Sequence, residues 1–154
     1  MTLPTVREWM TRTPLSVSPG ASLRKACALM KAGRVCHLPV IDGKKLVGLL
    51  AQSDIWTHCP KGTIFLEEQQ AEELLESIRV GGVMMLHPAC VSPDASLLEA
   101  AWVMRERKVR ALPVVDGKDV VGIITESDVI GAFVALYDRL GESALGEEHP
   151  DPHK

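Results

Sequence analysis

Apolar and polar positions along this chain follow two rhythms, and the succession of rhythms occurs twice. Leu23, Ala26, Cys27 and Met30 recur at helical spacing, and so do Leu97, Ala100, Ala101 and Met104. Ser22 and Ser96 stand just before these runs, where a hydroxyl can accept a hydrogen bond from the free N–H groups of a first helical turn. Short apolar runs follow, Leu38-Pro39-Val40-Ile41 and then residues 46–50, on either side of Asp42-Gly43. The second round has Pro113-Val114-Val115 and residues 120–124 around Asp116-Gly117. Two apolar runs joined by Asp-Gly predict a hairpin. A further helix is expected from near Ser53-Asp54 and from near Ser127-Asp128. Each unit therefore reads strand, helix, strand, turn, strand, helix, its first strand being the Pro-x-x-Val-Ser-Pro segment.

The two units align without a gap when the sequence is shifted by 74 positions. Between Met10 and Ile55, 21 of 46 positions are identical to their equivalents, far more than composition alone would give. The chain is two copies of one supersecondary unit, each short to be stable alone. The expected boundaries are 4–62 for the first repeat, 63–79 for a connecting helix, 80–140 for the second repeat and 141–154 for a disordered acidic tail. The connecting helix is read from 65–78, with Leu74, Leu75 and Ile78 opposite a run of glutamates. Residues 129–140 are read as a closing helix.

Composition fits this plan. The 154 residues carry 46% hydrophobic and 24% charged side chains, an ordinary globular balance that excludes global disorder. Aromatics are only 4%, so the core must come from aliphatic residues, Met and Ala. The net charge of −3 gives no broad electrostatic claim on nucleic acid. No apolar stretch is long enough for a membrane span and no leader is evident, so a cytoplasmic protein is expected. Cys27, Cys36, Cys59 and Cys90 form no CxxC pair and read as reduced thiols. Cys36-His37, His58-Cys59 and His87 with Cys90 lack closed zinc-ligand spacing, so no metal is expected. Met10, Met30, Met84 and Met104 fall at matching repeat positions and read as packing.

The order Met, Val-Ser-Pro, Ala-Ser-Leu, Ala-x-x-x-Met, Leu-Pro-Val-x-Asp-Gly and Gly-φ-φ-x-x-Ser-Asp (φ apolar) resembles the CBS domain. Two copies in tandem resemble a Bateman module, over about residues 4–140. The resemblance implies an α+β fold of two βαββα repeats packed sheet to sheet about a pseudo-twofold axis. It also implies two clefts at the sheet junction, which in many relatives bind adenosine-containing ligands, and pairing into disc-like dimers.

Residues 122–128, Gly-Ile-Ile-Thr-Glu-Ser-Asp, match the family's ligand pattern Gly-φ-φ-Thr-x-x-Asp. A carboxylate accepts two hydrogen bonds from adjacent ribose hydroxyls, which makes Asp128 the candidate ribose acceptor and Thr125 a sugar or phosphate contact, with Ser127 beside them. Thr-x-x-Asp before an apolar run is also a near-capping-box arrangement, and that reading stands beside the first. The first copy keeps Asp54 but has Ala51 where the threonine should be, leaving Ser53 as its expected cap. Arg110, just before the second Leu-Pro-Val, is the phosphate candidate that the family pattern implies; Cys36 and His37 stand at or beside the matching first-copy positions. Arg105, Arg107 and Lys108 also read as cations at a helix C-terminus.

No Gly-x-Ser-x-Gly, Gly-Lys-Ser/Thr or His-Glu-x-x-His occurs, so no catalysis is expected. The reading is a regulatory module that binds AMP, ATP, S-adenosylmethionine or a related ligand and signals to a separate protein. The alternative is a ligand-free homodimerisation module. Either way a homodimer is expected, through the helices carrying Trp56, Ile130 and Phe133.

Overall fold

The computed structural model describes residues 2–59 and 66–145, the side chains of 142–145 excepted. The first repeat comprises α1 (Val6–Trp9), β1 (Thr11–Arg12), α2 (Leu23–Gly33), β2 (His37–Asp42), β3 (Lys45–Ala51) and α3 (Gln52–His58). Helix α4 (Glu68–Ser77) connects to a 3-10 turn at Val80–Gly82. Then come β4 (Met85–Leu86), α5 (Leu97–Arg107), β5 (Ala111–Asp116), β6 (Asp119–Thr125) and α6 (Glu126–Leu145).

Local chemistry sets most of these bounds. Ser22 Oγ accepts from Lys25 N at 3.2 Å, and Ser96 Oγ from Glu99 N at 3.1 Å. Each thereby satisfies one of the amide groups a helix start leaves unpaired. The hairpins turn at Gly43 and Gly117, both at φ +63°, a backbone region that only glycine enters freely. Ser53 does not cap α3. Asp54 Oδ2 accepts from Ala51 N at 2.9 Å, so the carboxylate of the first turn does the capping without a hydroxyl partner. Helix α6 runs on to Leu145, through the first residues expected to be disordered tail. Residues 146–154, and 63–65 of the expected connecting segment, lie outside the described residues.

The strands form two sheets of three, in the orders β2-β3-β4 and β1-β6-β5. Each hairpin therefore receives its third strand from the other repeat: Thr11 and Arg12 pair with Ile123 and Gly122, while Leu86 and Met85 pair with Gly48 and Leu49. The leading segments cross with them. Val6 N donates to Ala95 O and Val80 N to Ala21 O, both at 2.9 Å. Accordingly Val6 is buried in the core of α5, β5 and β6, and Val80 in the core of α2, β2 and β3. This exchange needs a close backbone approach. A Cβ on Gly122 would lie 2.6 Å from Met10 Sδ and 2.8 Å from Thr11 O; on Gly48 it would lie 2.5 Å from Met84 Sδ and 2.9 Å from Met85 O.

The halves are related residue by residue at the repeat spacing, in hydrogen bonds, in register and in the positive φ values of Thr13 with His87 and Arg34 with Lys108. The cores rest on fully buried Leu23, Leu38, Leu50, Leu112 and Ile124, each contributing about 1.5–3 kcal/mol of burial. Leu49, Ala111 and Ile123 form a third buried cluster where the two sheets face each other. No described helix is long and apolar enough to cross a membrane.

Candidate functional site

The exchange of strands creates a cleft of about 570 Å3 where the repeats meet. Its walls come from both halves. The second repeat supplies Arg110 and the β6–α6 junction from Thr125 to Asp128, and the first supplies the end of α2 and the start of β2, from Gly33 to His37. The segment from Thr11 to Leu15 closes one side, because β1 lies along β6.

Asp128 sits in the first turn of α6. Its Oδ2 accepts from Thr125 N at 2.8 Å and from Thr125 Oγ1 at 3.1 Å. No hydrogen bond among the described residues engages Oδ1, which is left for a ligand hydroxyl. Capping and binding are therefore compatible uses of one carboxylate. The Thr125 hydroxyl spends its proton on Asp128 and offers a cleft ligand only a lone pair. That suits a donor such as a ribose hydroxyl better than a phosphate oxygen.

Arg110 is largely exposed, with Nε 3.8 Å from Glu126 Oε2. An exposed pair this long contributes little, so the guanidinium can turn to an incoming anion at small cost. Arg34 ends α2 in the left-handed conformation and puts a second arginine in the cleft lining. His37 is half-buried at the sheet junction, where the equivalent residue of the second repeat is the fully buried Ala111. Burial holds its pKa below the ordinary imidazole value, assisted by Arg110 and opposed by Asp54 and Glu126.

Of the residues singled out by sequence, the cleft thus gathers Thr125, Ser127, Asp128, Arg110 and His37. Asp54 is not among its lining residues. Cys36 and His37 of the first repeat line this cleft together with Asp128 of the second. Sequence reasoning missed Thr11, Thr13, Leu15 and Arg34, all contributed from across the junction. Thr13-Pro14 and His87-Pro88, two X-Pro steps at matched positions, mark where the exchanged strands end but not which hairpin each joins.

A second hollow, of about 550 Å3, lies between residues 2–9 and α6. Its walls also come from both repeats, α1 from the first and α6 from the second, but none of the site residues singled out by sequence lines it. Among the described residues, no three His, Cys, Asp or Glu side chains converge on a metal position.

Comparison with known proteins settles the ancestry of this arrangement. The CBS domain model matches residues 6–55 and again residues 80–135. The chain belongs to the CBS domain family. It is 29% identical over 124 residues to the CBS domain-containing protein YhcV of Bacillus subtilis, covering 80% of this chain and 81% of YhcV. It is 33% identical over 129 residues to the protein MJ1404 of Methanocaldococcus jannaschii, covering 81% of this chain but only 31% of that longer protein. Among solved structures, the CBS-pair protein CBSX2 of Arabidopsis thaliana matches with a TM-score of 0.75 and 32% identity, over 89% of this chain and 99% of CBSX2. A structure of CBSX2 in complex with AMP matches with a TM-score of 0.70 and 30% identity, over 86% and 98%.

Proposed function

We propose that this CBS pair is a non-catalytic regulatory module that binds an adenine nucleotide or related adenosyl ligand in the cleft between its repeats. The observation that carries the reading is the junction itself: a carboxylate with one free oxygen, two exposed arginines and a histidine, contributed by both halves and lining one space. Asp128 takes the ribose, Thr125 accepts from it, and Arg110 and Arg34 meet phosphate. The CBSX2 complex with AMP supports the ligand class. A ligand held from both sides shifts the relative orientation of the repeats only if it binds one orientation better. A separate protein then reads that orientation.

A thermal-shift screen of AMP, ADP, ATP, S-adenosylmethionine and adenosine tests this directly. At 100 times the dissociation constant a ligand stabilises by about 2.7 kcal/mol, which raises the melting temperature roughly 5–10 °C for a chain of this size. No rise with any of the five would remove the reading.

Homodimerisation accompanies it. Trp56, Ile130 and Phe133 are 69%, 61% and 66% exposed, with Val134, Tyr137 and Leu140 continuing the apolar face of α6. Large side chains gathered this way mark an association surface. Light scattering should give about twice the 16.8 kDa chain mass, and Phe133→Glu should return it to the monomer value.

A further inference from the structure

One ionisable ring lines the junction, and nothing there holds its second proton. His37 opens β2 and is half-buried in the wall of the cleft. The pseudo-equivalent residue is Ala111, so no second imidazole answers it across the junction. Asp128 is held by the amide and hydroxyl of Thr125, whereas the His37 ring makes no hydrogen bond or ion pair among the described residues. A half-buried imidazole without an acceptor favours its neutral form.

The groups around the ring pull in both directions. Burial disfavours the imidazolium most; Asp54 on α3 and Glu126 on α6 favour it, and Arg110, just before β5, opposes it. Arg34 at the end of α2, the Cys36 thiol and Asp128 in the first turn of α6 complete the charged and titratable lining. An arriving phosphate changes this balance twice over. Set against Arg110, it offsets the cation that opposes the imidazolium. It also brings the anionic acceptor that the ring lacks.

We propose that His37 couples ligand binding to pH: a nucleoside phosphate entering the cleft draws a proton onto the imidazole, so the module binds phosphorylated ligands more tightly as pH falls and gains nothing of the kind with uncharged adenosyl compounds. This rests on the nucleotide reading of the cleft and adds a regulation to it. The linkage is reciprocal, since the factor by which phosphate favours imidazolium over imidazole is the factor by which protonation tightens phosphate. An opposite charge within about 4–6 Å moves an ionisation by about 1–3 pH units, and each unit is a tenfold ratio of affinities for the two forms. The sign is distinctive. A phosphate monoester's own second ionisation, at about pH 6, works the other way, because arginines select the dianion and expel its proton.

The test is a histidine-detected NMR pH titration of the full chain, alone, saturated with AMP, and with adenosine at the same concentration. The His37 signal is assigned by its loss in His37→Gln. AMP should raise the titration midpoint of His37 by at least about one pH unit, and adenosine should leave it in place. Calorimetry at a series of pH values from about 8 to about 6 spans the imidazole range and gives the AMP affinities of both proteins. The ratio of the unmodified protein's affinity to that of His37→Gln should grow several-fold as pH falls. A His37 midpoint that stays or drops on AMP saturation, an equal rise with adenosine, or an affinity ratio flat in pH would overturn the proposal while leaving AMP binding, and with it the proposed function, standing. Failure of AMP to bind at any pH would remove both.

Discussion

Replacing Gly122 by alanine puts the strand exchange itself under load. The added Cβ would stand 2.6 Å from Met10 Sδ and 2.8 Å from Thr11 O. Met10 is a flexible side chain and can swing away. Thr11 O is backbone in β1, fixed by pairing with Ile123, and must retreat roughly half an ångström to reach ordinary contact. Overpacking of this kind costs about 1–3 kcal/mol. Loss of glycine's unfolded-state freedom returns about 0.4–1 kcal/mol. The net loss is about 1–2 kcal/mol, or roughly 3–8 °C in melting temperature for a chain of this length. Gly82→Ala is the control, since a Cβ there meets nothing within 4 Å. Gly48→Ala should cost as much as Gly122→Ala, because Met84 and Met85 stand where Met10 and Thr11 do. Adding Met10→Ala to Gly122→Ala should recover only the side-chain part. Differential scanning calorimetry reads all five proteins. A Gly122→Ala protein that melts with the Gly82→Ala control would refute the close approach of β1 and with it the crossed wall of the cleft.

Two further outcomes follow from single groups. Ser96→Ala should cost about 1 kcal/mol as the loss of a helix cap, and Ser22→Ala more, because Ser22 also holds Glu76 on α4; urea denaturation separates the two. His37 is neutral-favouring in the folded state, so its contribution is complete above the ordinary imidazole pKa of about 6.5 and is lost as pH falls below it. His37→Asn should therefore flatten the acid side of the stability profile below the ordinary imidazole pKa of about 6.5, and an unchanged profile would show that another group carries it.

Much of this arrangement was legible because it is local. Ser22 and Ser96 announce their caps within three residues, and Asp42-Gly43 and Asp116-Gly117 announce turns whose positive φ the sequence supplies. The crossing of β1 and β4 was not legible. Val6 and Val80 occupy equivalent positions of the repeat, so pairing within a repeat or across repeats carries the same local signal. Only the packing of the whole chooses. That Cys36 and His37 share a cleft with Asp128 is likewise a product of the whole packing and not of any local pattern. Ser53 was taken for a cap because hydroxyls usually serve, whereas the Asp54 carboxylate reaches the Ala51 amide unaided. The second-repeat residues are drawn together locally, since Thr125, Ser127 and Asp128 share one turn and Arg110 is tied to it by the bond from Glu126 N to Arg110 O at 3.0 Å.

Calorimetric titration of AMP into the unmodified protein, Asp128→Ala and Asp54→Ala tests the central claim most directly. The unmodified protein should bind saturably. Asp128→Ala should abolish that binding, because it removes the free Oδ1 and the anchor of Thr125 beside Arg110 and Arg34. Asp54→Ala, outside that cleft, should leave it nearly intact. A charge-assisted contact contributes about 1.5–3 kcal/mol, so the two variants should differ about tenfold or more in affinity. Equal losses in both, or no binding by the unmodified protein, would contradict the account.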